Sequence, residues 1–142
     1  MLFRSARLAA VAAAREADVD VQCAPGSVPV AAAVLSDAVA ELVGNAISFS
    51  SPGQKVVVTG EPLGSLYRIE VIDQGPGMSA AERANEAPFT QFGRAKFGQH
   101  GLGLGLAIVR SVAQLAGGKF TLAEGPGGRG LRAMLELPLA RS

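Results

Sequence analysis

The sequence predicts a two-layer α/β sandwich in which helices cover one face of a mixed, mostly antiparallel sheet. Three observations support this fold class. Helical and strand periodicities follow in the order helix, strand, long helix, hairpin, loop, helix, hairpin. The 142 residues, 49% hydrophobic and 18% charged, suit one domain with a sizeable core. The order is not that of a βαβ chain, so the glycines are not expected to form a Rossmann fingerprint.

The composition argues against several classes of protein. The formal net charge is +1, so neither nucleic acid nor an anionic membrane is an expected partner. Cys23 is the only cysteine, which excludes an internal disulfide and a Cys-rich metal site. His100 is the only histidine, which makes a His-cluster metal site or a Ser-His-Asp triad hard to build. No apolar run approaches the roughly 20 residues needed to span a bilayer.

The first elements are an Ala-rich segment, a strand and a long helix. We expect residues 1–17 to be a helix or linker rather than a signal peptide, because their apolar run is short. Alternating apolar and polar residues predict a strand over Val19–Cys23. A helix is predicted over Val28–Phe49, with Ser27 as its cap and Pro29 in its first turn. Its expected core stripe comprises Val34, Leu35, Ala38, Val39, Leu42, Val43, Ala46 and Ile47.

A hairpin and an irregular segment are expected next. Lys55–Glu61 and Leu66–Asp73 alternate around a Pro-Leu-Gly turn, which predicts paired strands with one buried face. The glycines and proline that follow Asp73 cannot continue a strand. We then expect a short helix over Ser79–Glu86 and a long loop over Ala87–Gly101, where no regular period is found.

The last elements are a helix and a second hairpin. The helix is predicted over Leu102–Ala116, and the strands over Lys119–Ala123 and Leu131–Leu137, around a turn at Gly125–Gly130. The expected core positions of this helix are Leu104, Ala107, Ile108, Ser111, Val112 and Leu115.

Polar residues on the long helix form one candidate site. Asp37, Glu41, Asn45 and Ser48 share a face that lies either in solvent or along a cleft, and spacing alone does not decide which. In a cleft, Asn45 would offer an oxygen to Mg²⁺, and Glu41 would orient or deprotonate a water or hydroxyl.

Glycine-rich segments supply two further candidates, and 13 of the 18 glycines lie between Gly75 and Gly130. Asp73 can accept a hydrogen bond from an exocyclic amine such as that of adenine, while Gly75 and Gly77 let a base come close. The alternative is an ordinary Asp-initiated turn. Gly101-Leu-Gly103-Leu-Gly105 opens a helix and offers backbone N–H groups to phosphate, or is simply a closely packed helix start.

These segments, in this order, resemble the ATP-binding domain of the GHKL superfamily, and most closely the catalytic domain of sensor histidine kinases. Glu41–Phe49 resembles the N box, and Ile72–Met78 the G1 box. Pro88–Arg94 resembles the F box, and Gly101–Ile108 the G2 box. The closing hairpin also matches, so the resemblance covers roughly residues 19–139 and implies the Bergerat ATP-binding fold over residues 18–142.

The resemblance implies a role for each site residue. Asp73 would bind the adenine amino group, in a pocket shaped by Gly75, Gly77 and Met78, with Phe49 near the base. Asn45 would ligate Mg²⁺. Residues 87–100 would form a mobile ATP lid, anchored by Phe89 and Phe92. The groups expected to contact the phosphates are Arg94, Lys96, Gly101, Leu102, Gly103, Leu104 and Gly105.

Three positions depart from the family's pattern. Glu41 stands where the commonest histidine kinases have Asn, and Glu at that place acts as a base in related ATPases. Ser48 replaces a Lys or Arg that meets phosphate in many kinases, and Leu102 replaces a small hydroxyl residue. These departures bear on catalytic efficiency more than on nucleotide binding.

The expected function is transfer of the γ-phosphoryl group of Mg-ATP to a histidine on a separate dimerisation domain, which passes it to a response regulator. His100 lies in the predicted lid and is not the expected acceptor. The alternatives are an ATPase with Glu41 as base and a nucleotide-binding regulatory module without turnover. The domain is expected to be monomeric and cytoplasmic and to contact no membrane, although its parent protein can be membrane-anchored.

Overall fold

A computed structural model describes residues 18–51, 53–75 and 102–140 of the chain. For Phe49 and residues 102–105 the description covers the backbone. The predicted N-terminal helix, the short helix over residues 79–86 and the long loop over residues 87–101 lie outside the described residues. Within them, no helix is long and apolar enough to cross a membrane.

Five strands form a single sheet, and their arrangement confirms the predicted fold class. They are β1 (Val19–Cys23), β2 (Val56–Leu63), β3 (Leu66–Ile72), β4 (Lys119–Glu124) and β5 (Leu131–Pro138). The strand order is β1-β2-β3-β5-β4. β1 runs parallel to β2, whereas the three other pairings are antiparallel. The first hairpin turns later than expected, because Pro62 and Leu63 still belong to β2.

In the described part of the chain, two α-helices accompany the sheet, α1 (Ala32–Phe49) and α2 (Leu102–Ala116). α1 connects two parallel neighbours, so β1, α1 and β2 make one βαβ unit. The expectation that the chain is not a βαβ chain therefore needs a correction at this connection. The rest of the sheet is built from hairpins and contains no second parallel pair among the described strands.

The predicted start of α1 is wrong by one turn. The helix begins at Ala32, with Ala31 at its N-cap and no side-chain cap, so Ser27 does not cap it and Pro29 precedes it. The segment before the helix is held against the sheet instead. Ala24 N donates to Gly60 O (2.8 Å), and Ala140 N donates to Ser27 O (2.7 Å). These tertiary hydrogen bonds hold the incoming chain and delay the helix.

The packing face of α1 follows the prediction, whereas among the predicted α2 positions with described side chains only Val112 is buried. The expected α1 stripe is buried except for Val34, which is 40% exposed. In α2 the buried positions are Leu106, Val109, Val112 and Ala113. Ile108 and Leu115, both expected in the core, are 43% and 87% exposed. Because α2 is apolar on several sides, its periodicity allows more than one core stripe.

The core lies between the helices and one face of the sheet. Val39 and Val43 of α1 are fully buried, as are Ile69 of β3 and Leu135 of β5. Burying a side chain of this size contributes about 1.5–3 kcal/mol. The opposite face of the sheet is polar, with Arg68 Nη2 2.7 Å from Glu136 Oε2 in the neighbouring strand. The site described next lies at the end of β3, where the chain leaves the sheet.

Candidate nucleotide-binding site

Asp73 follows the last residue of β3 and is 2% exposed. Its backbone N–H donates to Leu131 O (3.1 Å), which extends the pairing with β5 by one step. Its side-chain oxygen Oδ1 accepts two backbone N–H groups, from Gly75 (3.0 Å) and from Leu131 (3.3 Å). The carboxylate is thereby tied to the chain on both sides through a single oxygen.

Burial and hydrogen bonding act on the Asp73 carboxyl in opposite directions. Burial disfavours the charged form and raises its pKa, while the N–H groups of Gly75 and Leu131 lower it. Burial is the larger effect, so the pKa of Asp73 lies above its ordinary value. A donor from a ligand would favour the charged form and offset part of this cost.

The second carboxylate oxygen, Oδ2, is the one available to a ligand. Among the described residues no group donates a hydrogen bond to it. A buried acceptor without a partner is costly. Oδ2 is therefore suited to accept a hydrogen bond from a ligand, such as one from an exocyclic amine. This geometry fits the predicted contact with the adenine amino group.

Asn45 meets Asp73 across a small cavity of about 10 Å³, roughly the space of one water. The remaining lining is apolar and comes from α1, α2 and three strands: Leu42, Ala46, Val71, Leu106, Leu122, Leu131 and Ala133. The structure thus brings together two predicted site residues from α1 and the end of β3. Asn45 Nδ2 is buried and has no hydrogen-bond partner among the described residues.

Asn45 is also the residue predicted to bind magnesium. No three His, Cys, Asp or Glu side chains come together among residues 18–51, 53–75 and 102–140 in the way a resident metal site requires. Mg²⁺ that arrives with a nucleotide needs few protein ligands, since it keeps several waters and binds the phosphates. The side chain of Asn45 lines the cavity and can offer its amide oxygen as such a single protein contact, whereas its unpartnered nitrogen is a donor and does not bind a cation.

The other predicted α1 residues occupy different settings. Glu41 lies one turn before Asn45 and is half-buried, although it does not line the cavity. Ser48 is exposed. α1 has no basic residue in its last turn, so this part of the site supplies no positive charge of its own.

The glycine-rich segments are described in part. Leu102, Gly103, Leu104 and Gly105 form the first turn of α2, as predicted, and that turn contains no acidic residue that would repel phosphate. Gly75 N–H is engaged with Asp73, so its described role is to hold the carboxylate. The remaining predicted residues lie outside the described residues: Gly77, Met78, Phe92, Arg94, Lys96 and Gly101.

Leu131 is a site residue that sequence reasoning missed. Its backbone N–H binds Asp73 and its side chain lines the cavity. Any residue but proline has a backbone N–H, so the residue type gives no signal. The signal available in the sequence was the group of glycines just before it, Gly127, Gly128 and Gly130. Their positive φ angles show that the chain turns sharply there.

Comparison with known proteins identifies a family that the chain matches. Residues 31–141 match the family described as histidine kinase-, DNA gyrase B- and HSP90-like ATPases. The histidine protein kinase DivJ of Caulobacter vibrioides is 37% identical over 107 residues, which cover 74% of this chain and 18% of DivJ. The chain therefore spans about a fifth of that relative.

Solved structures show the same fold. The mycobacterial sensor histidine kinase MprB superposes with a TM-score of 0.82 at 26% identity, covering 99% of this chain and 95% of the MprB chain. Full-length ShkA in complex with AMPPNP superposes with a TM-score of 0.78 at 26% identity, covering 99% of this chain and 30% of ShkA.

Proposed function

Because the chain belongs to the family of histidine kinase-, DNA gyrase B- and HSP90-like ATPases, we propose that it is the ATP-binding catalytic domain of a sensor histidine kinase. Its substrate would be a histidine on a separate dimerisation domain, which then serves a response regulator. The observation that carries nucleotide binding is the Asp73 carboxylate, with Oδ1 tied to two backbone N–H groups and Oδ2 available. DivJ and MprB are kinases by name, which supports the kinase class.

ATP is the proposed nucleotide. The ShkA structure contains the ATP analogue AMPPNP, and ShkA shares the fold over nearly the whole of this chain. Asp73 Oδ2 would accept the adenine amine, and the backbone N–H groups at the start of α2 would meet the phosphates. Asn45 is the residue that would hold Mg²⁺, whose chemistry is to neutralise charge on the phosphates.

Two requirements of the reaction remain, a proton acceptor and positive charge near the phosphates. We assign to Glu41 the acceptance of the proton that the attacking group loses, since it precedes Asn45 by one helical turn on the same face. Phosphoryl transfer requires mainly positioning and charge neutralisation. α1 offers no cation in its last turn, so we assign neutralisation to the Mg²⁺ and to Arg94 and Lys96 of the proposed lid. The reaction takes place in the cytoplasm, where ATP is available.

A chimera tests the kinase assignment directly. The corresponding domain of DivJ would be replaced by residues 18–140, so that β1 stays with the strand it pairs with, and the protein would be incubated with ATP labelled at the γ-phosphate. Label on the phosphoacceptor histidine, labile to acid and stable to alkali, is the expected result. Asp73→Asn in the same chimera should reduce labelling at limiting ATP.

Two other results would replace the proposal. Release of inorganic phosphate by the isolated chain, with no label on the chimera, would identify an ATPase that uses Glu41 as base. Binding of ATP without labelling or release would identify a regulatory module without turnover.

A further inference from the structure

The turn between β4 and β5 lies directly against the residue that would recognise the nucleobase. It runs through a short 3₁₀ segment, Pro126–Gly128, and enters β5 at Leu131. The Asp73 backbone N–H donates to Leu131 O, as in a regular antiparallel pair. In such a pair the return bond goes from the Leu131 N–H to the Asp73 carbonyl. Here it goes to the side-chain oxygen Oδ1 instead (3.3 Å).

Gly130 is the residue that makes this diversion possible. A Cβ at position 130 would collide with the Asp73 carbonyl oxygen and lie 3.2 Å from Asp73 Oδ1. The backbone of Gly130 also has a φ of +74°, which L side chains rarely adopt. Both the collision and the positive φ require glycine at position 130, and the collision involves Asp73 itself.

We propose that Gly130 is a positioning residue for base recognition: it lets the turn close on Asp73, so that the Leu131 N–H fixes Oδ1 and leaves Oδ2 for the adenine amine. This inference rests on the proposed nucleotide-binding function and adds the group that sets the carboxylate's orientation. Without the Leu131 hydrogen bond, Gly75 N–H alone would hold Oδ1, and the carboxylate could turn about χ2. The oxygen that faces the ligand would then no longer be held in one position.

The turn offers a matched control for backbone strain. Gly127 has a φ of +70°, close to that of Gly130, but a Cβ there would have no atom within 4 Å. Gly127→Ala therefore places a side chain at a similar positive φ in the same turn without touching Asp73. A difference between Gly130→Ala and Gly127→Ala reports on the contact with Asp73.

The measurement is the affinity of the full chain for ATP relative to purine riboside 5′-triphosphate, which lacks the 6-amino group. A hydrogen bond to a charged acceptor predicts that the parent prefers ATP about 10- to 150-fold. Gly130→Ala should lower this ratio at least fivefold, whereas Gly127→Ala should stay within twofold of the parent. In the Asp73→Asn background, Gly130→Ala should change the ratio no further, because it acts through Asp73.

A second variant covers the case in which Gly130→Ala does not fold. The C-terminal segment is short enough for ligation of a synthetic peptide that begins before Gly130 and carries an ester oxygen in place of the Leu131 N–H. This change removes the donor to Oδ1 and leaves Gly130 unaltered. It should lower the ATP preference as Gly130→Ala does.

The outcomes separate this inference from the function on which it rests. If the parent shows no preference for ATP, or if Asp73→Asn keeps the parental ratio, the adenine assignment itself is wrong. If the parent and Asp73→Asn behave as expected but the ester variant keeps the parental ratio, the positioning inference alone is overturned. Equal loss of affinity for both nucleotides would also overturn it, because that result indicates a purely structural role.

Discussion

Replacing Asp73 by Asn should weaken adenine binding without weakening the fold. The amide oxygen of Asn can take the place of Oδ1 and accept the same N–H groups of Gly75 and Leu131. The amide nitrogen then occupies the place of Oδ2 and turns a donor toward the donor of the adenine amine. An unmatched buried polar group costs about 1–3 kcal/mol, so ATP affinity should fall about 5- to 150-fold.

The stability of the nucleotide-free protein should respond in the opposite sense. Burial raises the pKa of Asp73 in the folded state above its ordinary value, so the folded protein binds the proton more readily than the unfolded chain does. Stability is therefore highest below the ordinary Asp pKa and falls as the pH rises toward the folded value. Asn carries no charge to desolvate, so the stability of the Asp73→Asn variant does not decrease in this way as the pH rises. At pH 7 the Asp73→Asn variant should be at least as stable as the parent.

Two measurements on the same protein check this pair of effects. Titration calorimetry gives the ATP affinity, and urea unfolding between pH 3 and pH 8, without nucleotide, gives the free energy of unfolding. Asp37→Asn is the matched control, because it removes the same charge from an exposed position on α1 and should change neither quantity. Unchanged ATP affinity in folded Asp73→Asn would refute the adenine contact. A loss of stability at pH 7 would refute the electrostatic reasoning.

Three further substitutions test other parts of the site and its frame. Asn45→Ala should weaken binding of Mg-ATP much more than binding of ATP in EDTA; equal losses by calorimetry would show that Asn45 is not the ligand. The double variant Arg94→Ala, Lys96→Ala should lower the ratio of ATP to ADP affinity, and a parental ratio would assign the γ-phosphate to another group. Tyr67→Phe removes the hydrogen bond from Tyr67 OH to Ala24 O (2.6 Å). It should lower the free energy of unfolding by about 0.5–1.5 kcal/mol in urea and leave ATP affinity unchanged.

Sequence periodicity predicted the elements better than the faces they bury. The bounds of α2 agree with the prediction, yet Ile108 and Leu115 are exposed while Leu106 and Val109 are buried. A helix with apolar residues on several sides contains more than one plausible stripe, and the sheet and α1 select among them. In β3 the alternation is strict, so the buried set of Tyr67, Ile69 and Val71 could be predicted.

The site was predictable where recognition depends on side-chain type. Asp73 and Asn45 could be proposed because, together with the glycine-rich helix start, they stand in an order that resembles the family's motifs, although each alone has an ordinary structural alternative. Leu131 does not stand out, because it acts through a backbone N–H. The start of α1 was missed for a related reason. The bond from Ala140 N to Ser27 O joins distant backbone atoms and leaves no local pattern.

The charge on α1 determines where triphosphate preference must arise. The polar face of this helix holds the two acids Asp37 and Glu41, the neutral Asn45 and Ser48, and its last turn has no basic residue. An uncompensated γ-phosphate would be repelled by Glu41, the acid one turn from Asn45, since like charges close together disfavour binding. Preference for ATP over ADP must therefore come from groups off α1. The N-terminus of α2 is one source, but it has only about half an elementary charge to offer. Between β3 and α2 the sequence has the cations Arg83, Arg94 and Lys96. The last two fall in the expected lid, so they are the first residues whose removal should abolish the preference.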